Sequence, residues 1–228
     1  MSLYAIGDLH LSGAADKPMD IFGEVWKEHT KKLKEGFSTL RDGDTTVLCG
    51  DISWAMSLEQ ALEDFRFIDS LPGKKYVLKG NHDYWFVTAA KLNAFFAKNG
   101  IGSISLLHNN CGFYGDTALC GTKGWFYEES GSGEHNEKIF RRELGRLETS
   151  LKAAGSAEKL CFLHYPPRFD SYVCHEIIDL MQRYGVRGCY YGHLHGRSAN
   201  LAFSGEDRGI EYRLVSADSL GFKPFKIL

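Results

Sequence analysis

Residues 187–196 read RGCYYGHLHG, a short apolar run, a glycine, and two histidines one residue apart before a second glycine. The apolar half has the composition of a strand buried on both faces. The second half is a polar turn, and Gly192 permits a tight bend or a close backbone approach there. A lone His-x-His in such a turn reads as two solvated imidazoles. It reads differently when other strands of the same chain end in the same way, and four others do.

LYAI (3–6) is followed by Gly7-Asp8-Leu9-His10, and TTVLC (45–49) by Gly50-Asp51. KYVL (75–78) leads to Gly80-Asn81-His82-Asp83, and KLCFL (159–163) to His164-Tyr165-Pro166-Pro167. Helical patterns lie between these runs. Phe22, Val25, Trp26, His29 and Leu33 fall at helical spacing. Ser57 with Gln60 makes a capping box before LEQALEDFRFIDSL, and Pro72-Gly73 stops that helix. A third helix covers about 87–98, and a fourth, with Ile139, Phe140, Leu144, Leu147 and Leu151 on one face, covers 134–154. Residues 104–122, turning at Tyr114–Asp116, and 200–217, turning through Gly205–Gly209, read as antiparallel meanders. With no repeat, low-complexity tract or linker, residues 1–228 are expected to form one α/β domain without a cap or accessory domain.

The bulk composition excludes several classes of function. The 228 residues are 43% hydrophobic and 25% charged, with a formal net charge of −2. That balance offers no general attraction for a phosphate backbone and argues against long nucleic acid as a partner. No stretch approaches the ~20 apolar residues of a membrane span, and no signal-like segment opens the sequence. Six scattered cysteines without a Cys-x-x-Cys pair are expected to be reduced, which predicts a cytoplasmic location.

Open α/β sheets carry their ligand sites outside the carboxyl ends of their strands. Each of the five tips taken alone is an ordinary turn, cap or core histidine. Together they deliver Asp8, Asp51, Asp83, Asn81, His10, His82, His164, His193 and His195 to one sheet edge, and these include five of the chain's nine histidines. Carboxylate, amide and imidazole donors in that proportion suit divalent transition metals.

The ordered set Asp-x-His, Gly-Asp, Gly-Asn-His-Asp, His and Gly-His-x-His resembles the calcineurin-like metallophosphoesterase superfamily, with the match running from Asp8 to His195. The resemblance implies a four-layer α/β/β/α sandwich of two mixed sheets. It also implies two divalent transition-metal ions (Mn, Fe or Zn), with hydrolysis of a small phosphodiester or phosphomonoester by a metal-bridging hydroxide. One metal would be held by Asp8, His10, Asp51 and His195, and the other by Asp51, Asn81, His164 and His193. Two residues one apart on a turn would then each serve one metal. His82 and Asp83 would be the catalytic residues, His82 the histidine near the leaving group and Asp83 its acidic neighbour in the motif.

The match also has departures. The protein phosphatases of that superfamily carry Asp-Arg-Gly after the bridging Asp, whereas GDISWAMS (50–57) has no arginine. Metallo-β-lactamase-like hydrolases continue their His-x-His to Asp-His, and GHLHGRSA does not. Trp54, Tyr84, Trp85, Trp125, Phe126, Tyr127 and Tyr165 cluster near the tips and read first as core, second as a stacking wall. Lys123, Arg141, Arg142 and Arg146 read as a solvated face before they read as phosphate contacts. Competing functions are a nuclease on single-stranded or short nucleic acid, and a non-catalytic scaffold of the same fold. The sequence leaves the oligomeric state open.

Overall fold

A computed structural model describes residues 1–126 and 134–228, so Tyr127 lies outside the described residues. In chain order the elements are β1 (Leu3–Ile6), α1 (His29–Phe37), β2 (Thr45–Leu48), α2 (Leu62–Ser70), β3 (Lys74–Val77), α3 (Ala89–Lys98) and β4 (Ile104–Leu106). There follow β5 (Cys111–Tyr114), β6 (Thr117–Thr122), α4 (Glu134–Ala153), β7 (Glu158–Leu163), β8 (Arg168–Phe169) and β9 (Tyr172–Val173). The chain closes with α5 (His175–Arg183), β10 (Val186–Tyr191), β11 (Gly205–Asp207), β12 (Ile210–Leu214) and β13 (Phe225–Lys226).

Two mixed sheets result. One has the order β13-β1-β2-β3-β4, parallel except for the edge strand β13. The other has the order β11-β12-β10-β7-β6-β5, parallel in its centre and antiparallel at both edges. Strand alternation explains the layering, because successive side chains point to opposite faces. Leu3, Ala5 and Val47 from the first sheet meet Leu119, Leu160, Phe162 and Tyr190 from the second in a core between the sheets. Ile6, Leu48 and Val77 face the other way and pack under Leu33, Phe65, Leu92 and Phe96 of α1, α2 and α3. Cys161, Leu163 and Tyr191 pack under Leu147, Leu151, Ile177 and Met181 of α4 and α5. Three cores between four layers make the expected α/β/β/α sandwich. The central strands are covered on both sides, which is why they read as unbroken apolar runs.

Cysteines fill one row of this packing. Cys120, Cys161 and Cys189 stand side by side across β6, β7 and β10, with Cys111 of β5 opposite Cys120. All six cysteines are free thiols. A small apolar side chain suits the gap between sheet and helices.

Three expectations need correction. The helical spacing from Phe22 to Leu33 breaks into two short 3₁₀ turns, Met19–Phe22 and Glu24–Trp26, before α1 begins at His29. Gly23 at φ 130° and Glu28 at φ 52° interrupt the helix, and Phe22 and Val25 are exposed. Residues 104–122 are not one meander. β4 pairs in parallel with β3, and only β5 and β6 form a hairpin, in the other sheet. Asn110 makes that crossing, accepting the His108 N–H (2.6 Å) and donating to the Leu106 carbonyl (3.1 Å). Ser57 and Gln60 do form cap-like contacts, but α2 starts only at Leu62. Within 200–217 the turn forms the β11–β12 hairpin as expected, while β12 also runs parallel to β10.

The two sheets meet at the carboxyl ends of their central strands. The Gly7 N–H donates to the Val215 carbonyl (2.7 Å), and the Ala217 N–H to the Gly7 carbonyl (3.0 Å). This junction brings the polar tips of β1, β2 and β3 in one sheet together with those of β7 and β10 in the other, so they lie at two adjoining sheet edges and not at the single edge expected. No helix among the described residues is long and apolar enough to cross a membrane.

Candidate metal centre

Past the end of the β1–β2 pair, the two loops continue to bond. Asp8 N–H donates to the Gly50 carbonyl (2.9 Å), His10 N–H to Asp51 (3.0 Å) and Leu11 N–H to Ile52 (2.9 Å). This zip holds Asp8, His10 and Asp51 at φ 55°, 47° and 51°, and His193 across the cleft sits at 71°. Among the described residues, four of the nine non-glycine positions at positive φ are therefore expected site residues. Left-handed backbone costs about 1–3 kcal/mol per such residue and persists where surrounding structure over-determines it, often at functional sites. Two glycines let the loops close. A Cβ on Gly80 would lie 2.1 Å from Asp51 Oδ1, and one on Gly192 would lie 2.6 Å from Asp8 Oδ2.

Asp8, Asp51 and His164, all buried, each bring a ligand atom within 4.8 Å of the others. Asp51 Oδ2 lies 3.5 Å from His164 Nε2 and 3.9 Å from His10 Nε2. Asn81 Oδ1 lies 2.6 Å from His164 Nε2 and 3.1 Å from His193 Nδ1. His193 donates its backbone N–H to both oxygens of Asp8 (3.1 and 2.9 Å), and its ring is 5.2 Å from that of His164. His195 lies with its ring 5.4 Å from that of His10. The structure thus places the seven residues named as metal ligands around one cleft.

The polar groups of this cleft are only partly satisfied by one another. His164 Nδ1 lies 3.1 Å from the Cys49 carbonyl, which fixes the proton on that nitrogen. Nε2 then carries a lone pair and faces the oxygens of Asn81 and Asp51, with no hydrogen among the three. His10 is 1% exposed, and neither of its ring nitrogens has a hydrogen-bond partner. An unmet buried polar group costs about 1–3 kcal/mol. Converging acceptors that lack enough donors are what a cation satisfies, so the residues present fit a metal centre.

The titration pattern agrees. Burial, then the neighbouring Asp51 carboxylate, pushes the Asp8 carboxyl well above its usual range. Burial also lifts Asp51 to about 6. Burial lowers His10 and brings His164 and His193 down to about 3, which keeps the imidazoles in their neutral, ligating form.

His82 is half-buried beside this group. Its backbone N–H donates to Asp51 Oδ1 (2.8 Å), its ring lies 4.5 Å from Trp54 and 6.0 Å from His10, and burial lowers its pKa. Asp83 lies beneath the loop, wholly buried, with its carboxylate directed to protein N–H groups. Oδ1 accepts from Ile52 N (2.8 Å), Ser53 N (3.3 Å) and Trp85 Nε1 (3.0 Å), and Oδ2 from Gly80 N (2.7 Å).

The aromatic cluster divides in two. Trp85 is core, packed edge-on to Phe65. Trp54 stacks on His10 at 4.8 Å, Tyr165 lies 4.6 Å from His193, and exposed Tyr84 lies 6.2 Å from His82. Arg141 is exposed and paired with Glu137, as a solvated face predicts. Lys123, Arg142 and Arg146 instead line a cleft beside the centre. Sequence reasoning missed Trp26 and His29 as site residues. Trp26 packs edge-on to His10 and His195, and His29 Nε2 lies 3.2 Å from the His10 carbonyl. Their i, i+3 spacing signalled a helix face and gave no hint of that contact.

A profile of the calcineurin-like phosphoesterase family matches residues 1–197. No curated protein sequence matches the chain. Among solved structures, the phosphopantetheinyl hydrolase PptH of Mycobacterium tuberculosis is similar over 100% of this chain and 95% of its own, with a TM-score of 0.63 at 12% identity. A protein of unknown function from Aquifex aeolicus, AQ665, gives 0.54 at 15% identity, covering 99% and 95% of the two chains. TT1561 of Thermus thermophilus gives 0.52 at 13% identity over 85% and 81%. At such identities these likenesses establish the fold alone.

Proposed function

The chain belongs to the calcineurin-like phosphoesterase family, a premise from which we propose that it hydrolyses a small phosphodiester or phosphomonoester using two divalent transition-metal ions. Membership supports a metal-dependent phosphoester hydrolase in general. The observation that carries the finer reading is the convergence of carboxylate and imidazole groups on one buried cleft, with both ring nitrogens of His10 left without partners. Asp8, His10, Asp51 and His195 would hold one ion, and Asp51, Asn81, His164 and His193 the other. Bound there, such ions supply a nucleophile from water near neutral pH and neutralise charge on the phosphate oxygens.

The chain's own residues do the rest. Neutral Asn81 contributes an oxygen without a further negative charge, so the cleft stays receptive to an anionic ester. His82, tethered through its N–H to Asp51 and flanked by Trp54, would pass a proton to the departing oxygen. Trp54 and Trp26 enclose His10 and keep water from its ring. Asp83 acts as a positioning residue, tying the loop after β2 to the loop after β3.

Chelation and add-back test this reading, with bis-p-nitrophenyl phosphate as substrate. Removal of metal should abolish turnover, and Mn²⁺, Fe²⁺ or Zn²⁺ should restore it better than Ca²⁺, because imidazole favours transition metals. Phosphoserine peptides should be poor substrates, since no arginine follows Asp51 in GDISWAMS. Full activity of verified metal-free protein, or a preference for phosphopeptides over every small ester, would overturn it.

A further inference from the structure

Beside the metal centre lies a second cleft of about 220 Å³, lined among others by Lys79, His108, Lys123, Arg142, Glu143 and Arg146. Its walls come from three places in the chain. Lys79 follows β3 and directly precedes Gly80-Asn81. Lys123 is the first residue past β6. Arg142, Glu143 and Arg146 lie on α4. The Lys123 carbonyl accepts the backbone N–H of His164 (3.1 Å) and of Tyr165 (2.8 Å). Two of the four cations therefore stand on or against the loops that carry Asn81 and His164, and consecutive Cα atoms are only ~3.8 Å apart.

Charge in this cleft is unbalanced. Its buried acid, Glu143, is ion-paired with Arg146 and accepts the Thr122 hydroxyl (2.9 Å). Lys79, Lys123 and Arg142 make no ion pair with any described residue. A solvated helix face does not explain this, since Lys79 and Lys123 are not on a helix and Lys123 is half-buried. Lys79 and Lys123 are half-buried and Arg142 is exposed, and cations gathered around one cleft without a free acid are favoured when an anion joins them.

We propose that this cleft receives a second phosphoryl group of the substrate, so that the protein acts on esters carrying two phosphates rather than one. The inference rests on the hydrolase reading, with one phosphate at the metals and the other between Lys79, Lys123 and Arg142. Guanidinium and ammonium groups together match the geometry and charge of a phosphate. At about 220 Å³ the cleft has room for one phosphate with some hydration. That size favours a small bisphosphorylated ester over nucleic acid.

Two measurements test it. Inorganic phosphate is titrated calorimetrically into the metal-free full-length chain, where the carboxylates of the empty centre repel it. Binding is expected, weakened about ten- to a hundredfold by Arg142→Gln and partly restored in Arg142→Lys. The metal-loaded chain is then assayed on thymidine 5′-(p-nitrophenyl phosphate) with and without a 3′-phosphate. The 3′-phosphate should raise kcat/KM about tenfold or more, and Arg142→Gln should remove most of that advantage. Arg141→Gln, at the exposed neighbour paired with Glu137, should leave the advantage as it was. No phosphate binding, no advantage from the second phosphate, or an equal loss on both esters in Arg142→Gln would overturn the proposal. So would a strong preference for single-stranded oligonucleotides. If no ester is hydrolysed but phosphate still binds through Arg142, the anion site stands and the hydrolase reading falls.

Discussion

Asp83→Asn tests how the centre is held together. The Asp83 carboxylate receives four N–H groups, three at Oδ1 and one at Oδ2, and so bolts Ile52 and Ser53 to Gly80. Ile52 adjoins Asp51, and Gly80 adjoins Asn81. An amide keeps one oxygen. In its better orientation that oxygen serves Ile52, Ser53 and Trp85, and the amide N–H₂ then faces the Gly80 N–H, donor against donor. Hydrogen bonds to a charged group are worth about 1.5–3 kcal/mol, and an orphaned buried donor costs about 1–3 kcal/mol. Losing the Gly80 bond and weakening the other three should destabilise the protein by about 2–4 kcal/mol. The Gly80 backbone then shifts, where a Cβ would already sit 2.1 Å from Asp51 Oδ1. Metal affinity should fall about 10–100-fold, as for other residues that orient ligands. Urea unfolding followed by tryptophan fluorescence reads the first effect, and a metal titration reads the second. Unchanged stability and metal affinity, with a rate loss above about a hundredfold, would refute the positioning role and put Asp83 into the chemistry.

Two further perturbations address the chemistry and the core. His82→Ala should keep its fold and metal content but lose about 10²–10⁴-fold in rate on an alkyl ester. The loss should be much smaller with p-nitrophenolate as leaving group, and equal losses on both esters would mean that His82 acts without transferring a proton. In the core, burial pushes Cys120 up to about 12 from an ordinary 9.0. The folded state therefore keeps a proton that the unfolded chain loses, so this stability is whole below pH 9 and is lost as pH rises from 9 toward 12. Cys120→Ala should flatten the decline of the urea-derived stability by up to about 1.4 kcal/mol per pH unit across that window, and an unchanged slope would refute the assignment.

Much of this was legible because the chemistry lies at strand ends. A strand buried on both faces announces itself as an apolar run, and the first polar residues after it must lie at the sheet edge. Asp8, Asp51, Asn81, His164 and His193 could all be placed in that way. The fate of residues 104–106 could not, because a three-residue strand carries too little pattern to choose between sheets, and the turn at 108–110 resembles a hairpin. Asp83 was read with His82 because the two are adjacent. Only the fold shows that one side chain borders the cleft and the other turns beneath the loop. Trp26, His29 and the basic cleft escaped for a different reason. They join residues far apart in the chain, Lys79 and Arg142 around one cleft and Trp26 against His195, and no local spacing encodes such meetings.

The central claim is that two ions share Asp51. Elemental analysis of the purified, metal-loaded chain and of two variants tests it most directly. Wild type should carry two transition-metal ions per chain, Asp51→Asn should lose both, and His10→Ala should keep close to one. Two tightly held ions in Asp51→Asn, or a fully active wild type carrying none, would contradict the account.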